Sequence, residues 1–164
     1  MSRPRALTYN SGSMAAKHAL LLVLLVAAAC GSQSDESLLR RFPTIRADLE
    51  QVLRGLPAQA SFVRIASSWS DPQLPNEQLA PIRAVLKRAD IGDGLLVREG
   101  ASLFIVESHG MVGRGWAKGF AYVLSMPATD NLRVSLDDPR ALPKDGLFLR
   151  PIPGAPAWYV FVDR

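Results

Sequence analysis

Cysteine and histidine are scarce in this chain, and their scarcity excludes several classes of protein. The 164 residues include one cysteine and two histidines. A single cysteine forms no disulfide within the chain, which excludes a small disulfide-stabilised scaffold. One cysteine and two histidines also fall short of the four Cys and His ligands of an ordinary structural zinc site. The sequence therefore predicts no metal site and no cofactor.

Long apolar runs are also lacking, because the one continuous run is too short to cross a membrane. It extends from Ala19 to Ala29. Eleven helical residues span about 16 Å at about 1.5 Å each, whereas the hydrocarbon core of a bilayer is about 30 Å thick. A run of this length, preceded by Lys17 and His18 and followed by small residues, is typical of a signal peptide.

The end of this run resembles the lipobox of bacterial lipoproteins. Ala27-Ala28-Ala29 stand directly before Cys30, with alanine at residue 27 where leucine is usual. The resemblance implies that residues 1–29 are a signal peptide that is cleaved off, and that Cys30 is lipidated on its sulfur and acylated, for example with palmitate, on its amine. Two or more acyl chains give stable anchoring. In enterobacterial lipoproteins an aspartate directly after the cysteine retains the protein in the inner membrane. Gly31 stands at that position here, so the resemblance implies the outer membrane, with the domain facing the periplasm.

Two alternatives stay open for this N-terminal segment. Residues 1–13 make a long start for a signal peptide, and Met14 would give a more compact one, so translation from Met14 is an alternative to translation from Met1. The apolar run is also compatible with a buried helix that ends in a core cysteine.

Cleavage after residue 29 would remove most of the excess positive charge. The whole chain has 19 basic and 15 acidic residues. Arg3, Arg5 and Lys17 lie in the removed segment, which contains no acid, so the mature chain has 16 basic and 15 acidic residues. No basic run of the kind that binds nucleic acid remains. We therefore expect no nucleic acid partner. The expected partners are a membrane, through Cys30, and a protein.

The remaining chain reads as a polar tether over residues 30–36 and a single domain over residues 37–164. Apolar residues at three- and four-residue spacing predict a helical turn up to Arg41, a helix that begins at Pro43 and ends at about Arg54, and a second helix from about Asn76 to Asp90. Asn76 is predicted to cap the second helix.

The second half of the chain has the residue pattern of β-strands. Strands are predicted at 62–66, 95–98, 102–107, 117–124, 147–150 and 158–162, with a loop at 67–75. Helices that precede hairpin-linked strands indicate an α+β fold, in which two helices pack on a mostly antiparallel sheet of about four to six strands.

About the last seventy residues resemble a group of small bacterial proteins that have a Lys-Gly-aromatic-x-Tyr strand and a terminal Trp-Tyr. The motifs that carry the resemblance are Ala117-Lys118-Gly119-Phe120-Ala121-Tyr122, Ser135-Leu136-Asp137-Asp138 and Trp158-Tyr159-Val160-Phe161. The resemblance implies a one-domain α+β fold and assigns no catalytic residues.

A glycine-rich stretch around residues 110–119 provides the first candidate contacts. Its glycines fit a β-turn and a bulge, and no helix follows as a phosphate-binding loop requires. The functional alternative is a surface for an anionic ligand or a partner, with Arg114 and Lys118 on either side of an exposed Trp116. Trp69, in the predicted loop, is a second aromatic candidate, because tryptophan often dominates binding energy at interfaces.

His109 is the only histidine of the predicted mature chain, and Glu107 and Ser108 precede it. Neighbouring residues of a strand point to opposite faces, so Ser108 and His109 are not expected to form a catalytic pair. We predict a surface histidine that could make a pH-sensitive contact. Asp137-Asp138, directly before a proline, is predicted to start a turn.

Together these features predict a lipid-anchored envelope protein with a small binding or interaction module of unknown ligand. The candidate contact residues are Trp116, Arg114, Lys118, Trp69 and His109. Two alternatives remain: an immunity-like protein that neutralises an envelope-targeted toxin, and a small periplasmic hydrolase that uses His109.

Overall fold

The structure, a computed structural model, describes residues 32–56, 62–98, 100–110 and 115–164. Residues 33–164 form one unit in which two helices pack on a seven-stranded antiparallel sheet. The predicted α+β class is therefore confirmed. The predicted signal peptide, Cys30 and Arg114 lie outside the described residues.

The elements follow the predicted order, helices and a short strand first and long hairpins after them. The helices are α1 (Asp35–Gly55) and α2 (Asn76–Arg88). The strands are β1 (Phe62–Ile65), β2 (Ser70–Asp71), β3 (Gly94–Arg98), β4 (Ala101–His109), β5 (Trp116–Val123), β6 (Leu147–Pro151) and β7 (Trp158–Asp163).

Helix α1 runs through Pro43 without a break, so the predicted division into a turn and a second helix is wrong. Proline removes a helix hydrogen bond and costs about 3 kcal/mol in a helix interior. Here Pro43 is on the exposed face, and the apolar stripe continues on both sides of it. The buried residues of that stripe are Leu38, Phe42, Ile45, Leu49 and Val52. Their burial against the sheet offsets the local cost of the proline.

Helix α2 also contains a proline, Pro81, and begins at Asn76. The prediction that Asn76 caps this helix is wrong, because Asn76 is its first residue and no side chain caps it. Its first turn is instead closed by the Pro75 carbonyl, which accepts hydrogen bonds from the Gln78 and Leu79 amides. Leu79, Ile82, Val85 and Leu86 form its buried face.

The sheet has the strand order β2-β1-β3-β4-β5-β7-β6. The prediction of four to six strands misses one, the two-residue strand β2, which pairs with β1 inside the predicted loop. Strand β5 pairs with β7 rather than β6. Residues 124–146 carry the chain back to the end of the sheet where β5 starts, so β6 runs parallel to β5 and β7 fits between them, antiparallel to both.

Both faces of the sheet are buried. Both helices contribute to the larger core, where Trp158 of β7 packs its ring against Phe42, Phe104 and Tyr122 at centroid distances of 5.2, 5.9 and 5.2 Å. A smaller cluster on the opposite face contains the following buried residues: Ala101, Leu103, Ile105, Ala121, Leu149 and Phe161.

One end of the sheet collects several turns. Strands β1 and β4 end there, and β3 and β5 begin there, as their antiparallel registers require. Helix α1 begins close to the same end, since Gln33, two residues before it, hydrogen-bonds to Glu107 near the end of β4. We call this the tether end of the domain, because the chain from Cys30 enters the fold here.

Candidate functional site

A buried ion pair joins the start of α1 to the middle of the sheet. Lys118 lies on the helix-facing side of β5, and Asp35 is the first residue of α1. Both residues are fully buried. The Lys118 ammonium lies 2.8 Å from Oδ1 of Asp35.

The second oxygen of the Asp35 carboxylate extends this pair into a network. Oδ2 accepts hydrogen bonds from the Leu136 amide at 2.7 Å and from Nη1 of Arg150 at 3.1 Å. Arg150, on β6, also donates to Glu36 at 2.7 Å. The network thereby fastens β6 and the segment before it to the first turn of α1.

Asp137 closes the network from the other side. Its Oδ1 accepts a hydrogen bond from the Asp35 amide at 2.6 Å and lies 3.3 Å from Nζ of Lys118. Partial burial acts to raise the pKa of the Asp137 carboxyl, but the Asp35 amide and the Lys118 ammonium outweigh it, so the pKa lies below its usual value. Asp137 is therefore a structural acceptor, while the side chain that starts the following turn is that of Asp138, whose Oδ1 accepts from the Arg140 amide at 3.1 Å.

This network changes the interpretation of Lys118. The sequence placed Lys118 beside an exposed tryptophan as a contact for a ligand or partner. The structure corrects this, because the ammonium is completely buried and its neighbours are the Asp35 and Asp137 carboxylates and the Leu136 carbonyl. Trp116 and Lys118 are two residues apart on β5, so both lie on the helix-facing side of the strand. Lys118 is fully buried there whereas Trp116 is half-buried, so Lys118 does not belong to a contact surface formed by Trp116.

His109 and Trp116 form a stacked pair at the tether end. They are directly opposite each other in the β4–β5 register, and their ring centroids are 4.5 Å apart. Nε2 of His109 lies 3.7 Å from Oε2 of Glu107, and the other Glu107 oxygen accepts the hydrogen bond of the Gln33 amide at 2.9 Å. The His109 side chain is 55% exposed, while Trp116 is half-buried.

A hydrolase that uses His109 would need His109 within hydrogen-bond reach of a serine hydroxyl and an acid. Ser108 and His109 do not form this arrangement. The Ser108 hydroxyl donates to Oδ2 of Asp93 at 2.6 Å. His109 instead packs on Trp116 and lies near Glu107. A β-bulge between Ile105 and Glu107 shifts the register here. Ser108 therefore bonds to an acid, without His109 between them.

Trp69 is the most exposed of the three tryptophans. It lies between β1 and β2 with 51% of its surface exposed, and its carbonyl accepts a hydrogen bond from the Ala66 amide. Its turn belongs to the tether end, three strands away from β5 across the sheet. Among the described residues no aromatic ring stacks on Trp69 as His109 does on Trp116, and Trp69 is the more exposed and therefore the better placed of the two for contact with a protein.

A cleft of about 290 Å³ lies between α2 and the turns that precede and follow it. Arg83 and Lys87 of α2 line it together with Ala66, Asp90 and Gly94. Arg83 donates to the Ala66 carbonyl at 3.0 Å, so its guanidinium helps to hold the β1–β2 turn. Among the described residues, no group of three or more His, Cys, Asp and Glu side chains could hold a metal ion.

The acidic half of this region, Asp35 and Glu107, was not predicted from the sequence. Asp35 stands in a polar segment that reads as tether, and Glu107 reads as an ordinary strand residue. One signal pointed to Asp35: it follows Ser34 and precedes an apolar stripe, as an acidic residue in a first helical turn does. Ser34 indeed caps α1, with its Oγ accepting from the Ser37 amide at 3.2 Å.

No family model matches the chain, and neither a curated protein nor a solved structure matches it. Within the ranges that the structure describes, no helix is both long enough and apolar enough to cross a membrane.

Proposed function

We propose that this chain is an exported lipoprotein, acylated at Cys30 and held in the outer membrane, whose periplasmic domain is a small binding or interaction module. The observation that carries the proposal is the apolar run Ala19–Ala29, which ends directly before the only cysteine. Its length suits a signal peptide and is too short for a bilayer span.

The fold supports this division of the chain. All the described helices and strands begin at Asp35 or later, after the residues that signal peptidase would remove. The backbone amides of Gln33 and Asp35 donate hydrogen bonds to the side chains of Glu107 and Asp137 within the domain. The tether between lipid and domain would thus be very short.

Fatty-acid labelling tests the anchor. In cells that express the whole chain and are fed an alkyne analogue of palmitate, we expect the protein to be labelled and to sediment with membranes. A Cys30→Ser variant should lose the label. The control variant Cys30→Ser/Ser68→Cys keeps an exposed thiol on the domain, away from the run of small residues, and should also stay unlabelled. Label retained by Cys30→Ser, or mass spectrometry that finds an unmodified cysteine on an uncleaved chain, would contradict the proposal.

The interaction module is supported by the exposed Trp69 at the tether end. We expect Trp69→Ala to weaken capture of a periplasmic partner by the membrane-anchored protein, since a central tryptophan often contributes about 2 kcal/mol or more to an interface. Met126→Ala, which changes a 97% exposed residue, is the matched control. Partner recovery that is equal for both variants would count against Trp69 as the contact.

A further inference from the structure

The chain between Cys30 and the folded domain has almost no slack. The Gln33 amide donates to Glu107 at 2.9 Å, and the Asp35 amide donates to Asp137 at 2.6 Å. Two independent hydrogen bonds, together with the buried pair of Asp35 and Lys118, hold this part of the chain on the domain. Only Gly31 and Ser32 separate Cys30 from Gln33.

This shortness limits how far the domain can stand from a bilayer. Three residue steps span at most about 11 Å, since an extended chain covers about 3.6 Å per residue. The headgroup layer on each side of a bilayer is itself about 5–8 Å thick, the difference between the total and the hydrocarbon thickness. If Cys30 is acylated, Gln33 and the Glu107 carboxylate bonded to it must stay in or directly above the headgroups.

The residues next to Glu107 suit that environment. Trp116 and His109 stack on each other at 4.5 Å, and tryptophan is enriched at the headgroup level because its ring is apolar while its N–H forms hydrogen bonds. The Glu107 side chain is only 18% exposed and already has the Gln33 amide and His109 beside it. Placing the Glu107 carboxylate close to lipid therefore removes little further water from its charge.

We propose that one part of the tether end, formed by the end of β4 and the start of β5 and centred on the stacked pair His109–Trp116, contacts phospholipid headgroups because the short tether holds it at the bilayer surface. The β1–β2 turn with Trp69, three strands away at the edge of the sheet, stays accessible to a periplasmic partner. The inference rests on the proposed acylation of Cys30, and it adds the orientation of the domain. The opposite end of the sheet then faces the periplasm. Strand β5 has eight residues, so its far end lies seven steps from Trp116, or about 23 Å along the strand at about 3.3 Å per residue.

Quenching of tryptophan fluorescence by brominated lipid tests this orientation. The lipidated mature protein, which begins at Cys30, is reconstituted into vesicles of phosphatidylethanolamine and phosphatidylglycerol, with or without bromine on the acyl carbons near the headgroup. Trp69→Phe leaves Trp116 as the reporter over the constant, buried Trp158. The matched control, Trp69→Phe/Trp116→Phe/Met126→Trp, moves the reporter to the exposed Met126 beyond the far end of β5.

We expect brominated lipid to remove roughly half of the Trp116 emission and to leave the emission of the residue-126 reporter almost unchanged. Equal quenching at the two positions, in protein shown by mass spectrometry to carry the lipid, overturns the orientation while the lipoprotein assignment stands. Absence of the lipid from Cys30 instead overturns the proposed function itself. Far-ultraviolet circular dichroism and urea midpoints that match between the variants show that the reporters sit in the same fold.

Discussion

Replacing Lys118 with methionine tests the buried ion pair at the start of α1. Methionine keeps most of the apolar stem of lysine and removes its ammonium. The Asp35 carboxylate would keep the Leu136 amide and Arg150 as partners and lose the cation that lies 2.8 Å from Oδ1. Because Lys118 and Asp35 are fully buried, water cannot take the place of the ammonium.

The expected loss of stability is large. Removing one partner of a buried ion pair costs about 3–5 kcal/mol, because the other charge stays buried without compensation. Arg150 still compensates part of the charge on Asp35, so we expect Lys118→Met to lower the free energy of unfolding by about 3 kcal/mol. An ordinary domain has a total stability of only about 5–15 kcal/mol.

A double-mutant cycle separates the ion pair from simple loss of packing. Asp35→Asn keeps an oxygen for the Leu136 amide but leaves the Lys118 ammonium buried. The double variant Lys118→Met/Asp35→Asn leaves neither charge uncompensated, so we expect it to lose no more stability than either single variant.

Urea unfolding of the chain without residues 1–30, followed by tryptophan fluorescence, measures all four corners of this cycle. Lys144→Met, which changes an exposed lysine, is the control and should stay within about 0.5 kcal/mol of the parent. A Lys118→Met variant as stable as this control, or a double variant whose loss is the sum of the two single losses, would refute the reasoning.

Three further predictions concern the stability of the domain. Gly119→Ala should destabilise the domain by about 3 kcal/mol or more in urea unfolding, since its Cβ would lie 2.0 Å from the Phe104 carbonyl oxygen and force β4 and β5 apart; a loss below about 0.5 kcal/mol would contradict that close approach. Trp158→Ala should cost about 3–5 kcal/mol in the same assay and weaken the near-ultraviolet circular dichroism, because the ring contacts three other aromatic rings. The lowered pKa of Asp137 means that its contribution to stability is present above its ordinary value of 3.8 and is lost as the pH falls through the folded-state pKa. Asp137→Asn should therefore flatten the urea midpoint against pH in that acidic range, and an unchanged profile would show that the Asp137 contacts do not form.

The prolines show where local sequence signals misled the prediction of helices. Pro43 has the fixed backbone geometry and the missing N–H that favour a helix start, and a helix was therefore predicted to begin there. Whether such a proline ends a helix depends on the burial gained on either side of it. Leu38 and Phe42 before it and Ile45 after it pack on the same sheet, so one helix persists.

The sheet was easier to predict in its parts than in its arrangement. The hairpin of β3 and β4 was predicted because alternating apolar strands flank a turn at Gly100. The two-residue strand β2 carries no pattern of its own, since Ser70 and Asp71 are polar residues that pair only because β1 offers an open edge. The position of β7 between β5 and β6 depends on the path of residues 124–146, which contain no periodic signal.

By itself the sequence determined the class of the fold, because apolar spacing distinguishes helices from strands and short turns join the strands into hairpins. It also supplied the prediction of an acylated Cys30, which depends on a local run of residues. Only the tertiary structure decided which charged side chains are buried and which partners they pair with. Lys118 is a buried partner of Asp35, 83 positions earlier in the chain, since folding brings distant residues together and a buried charge is stable only where an opposite charge meets it.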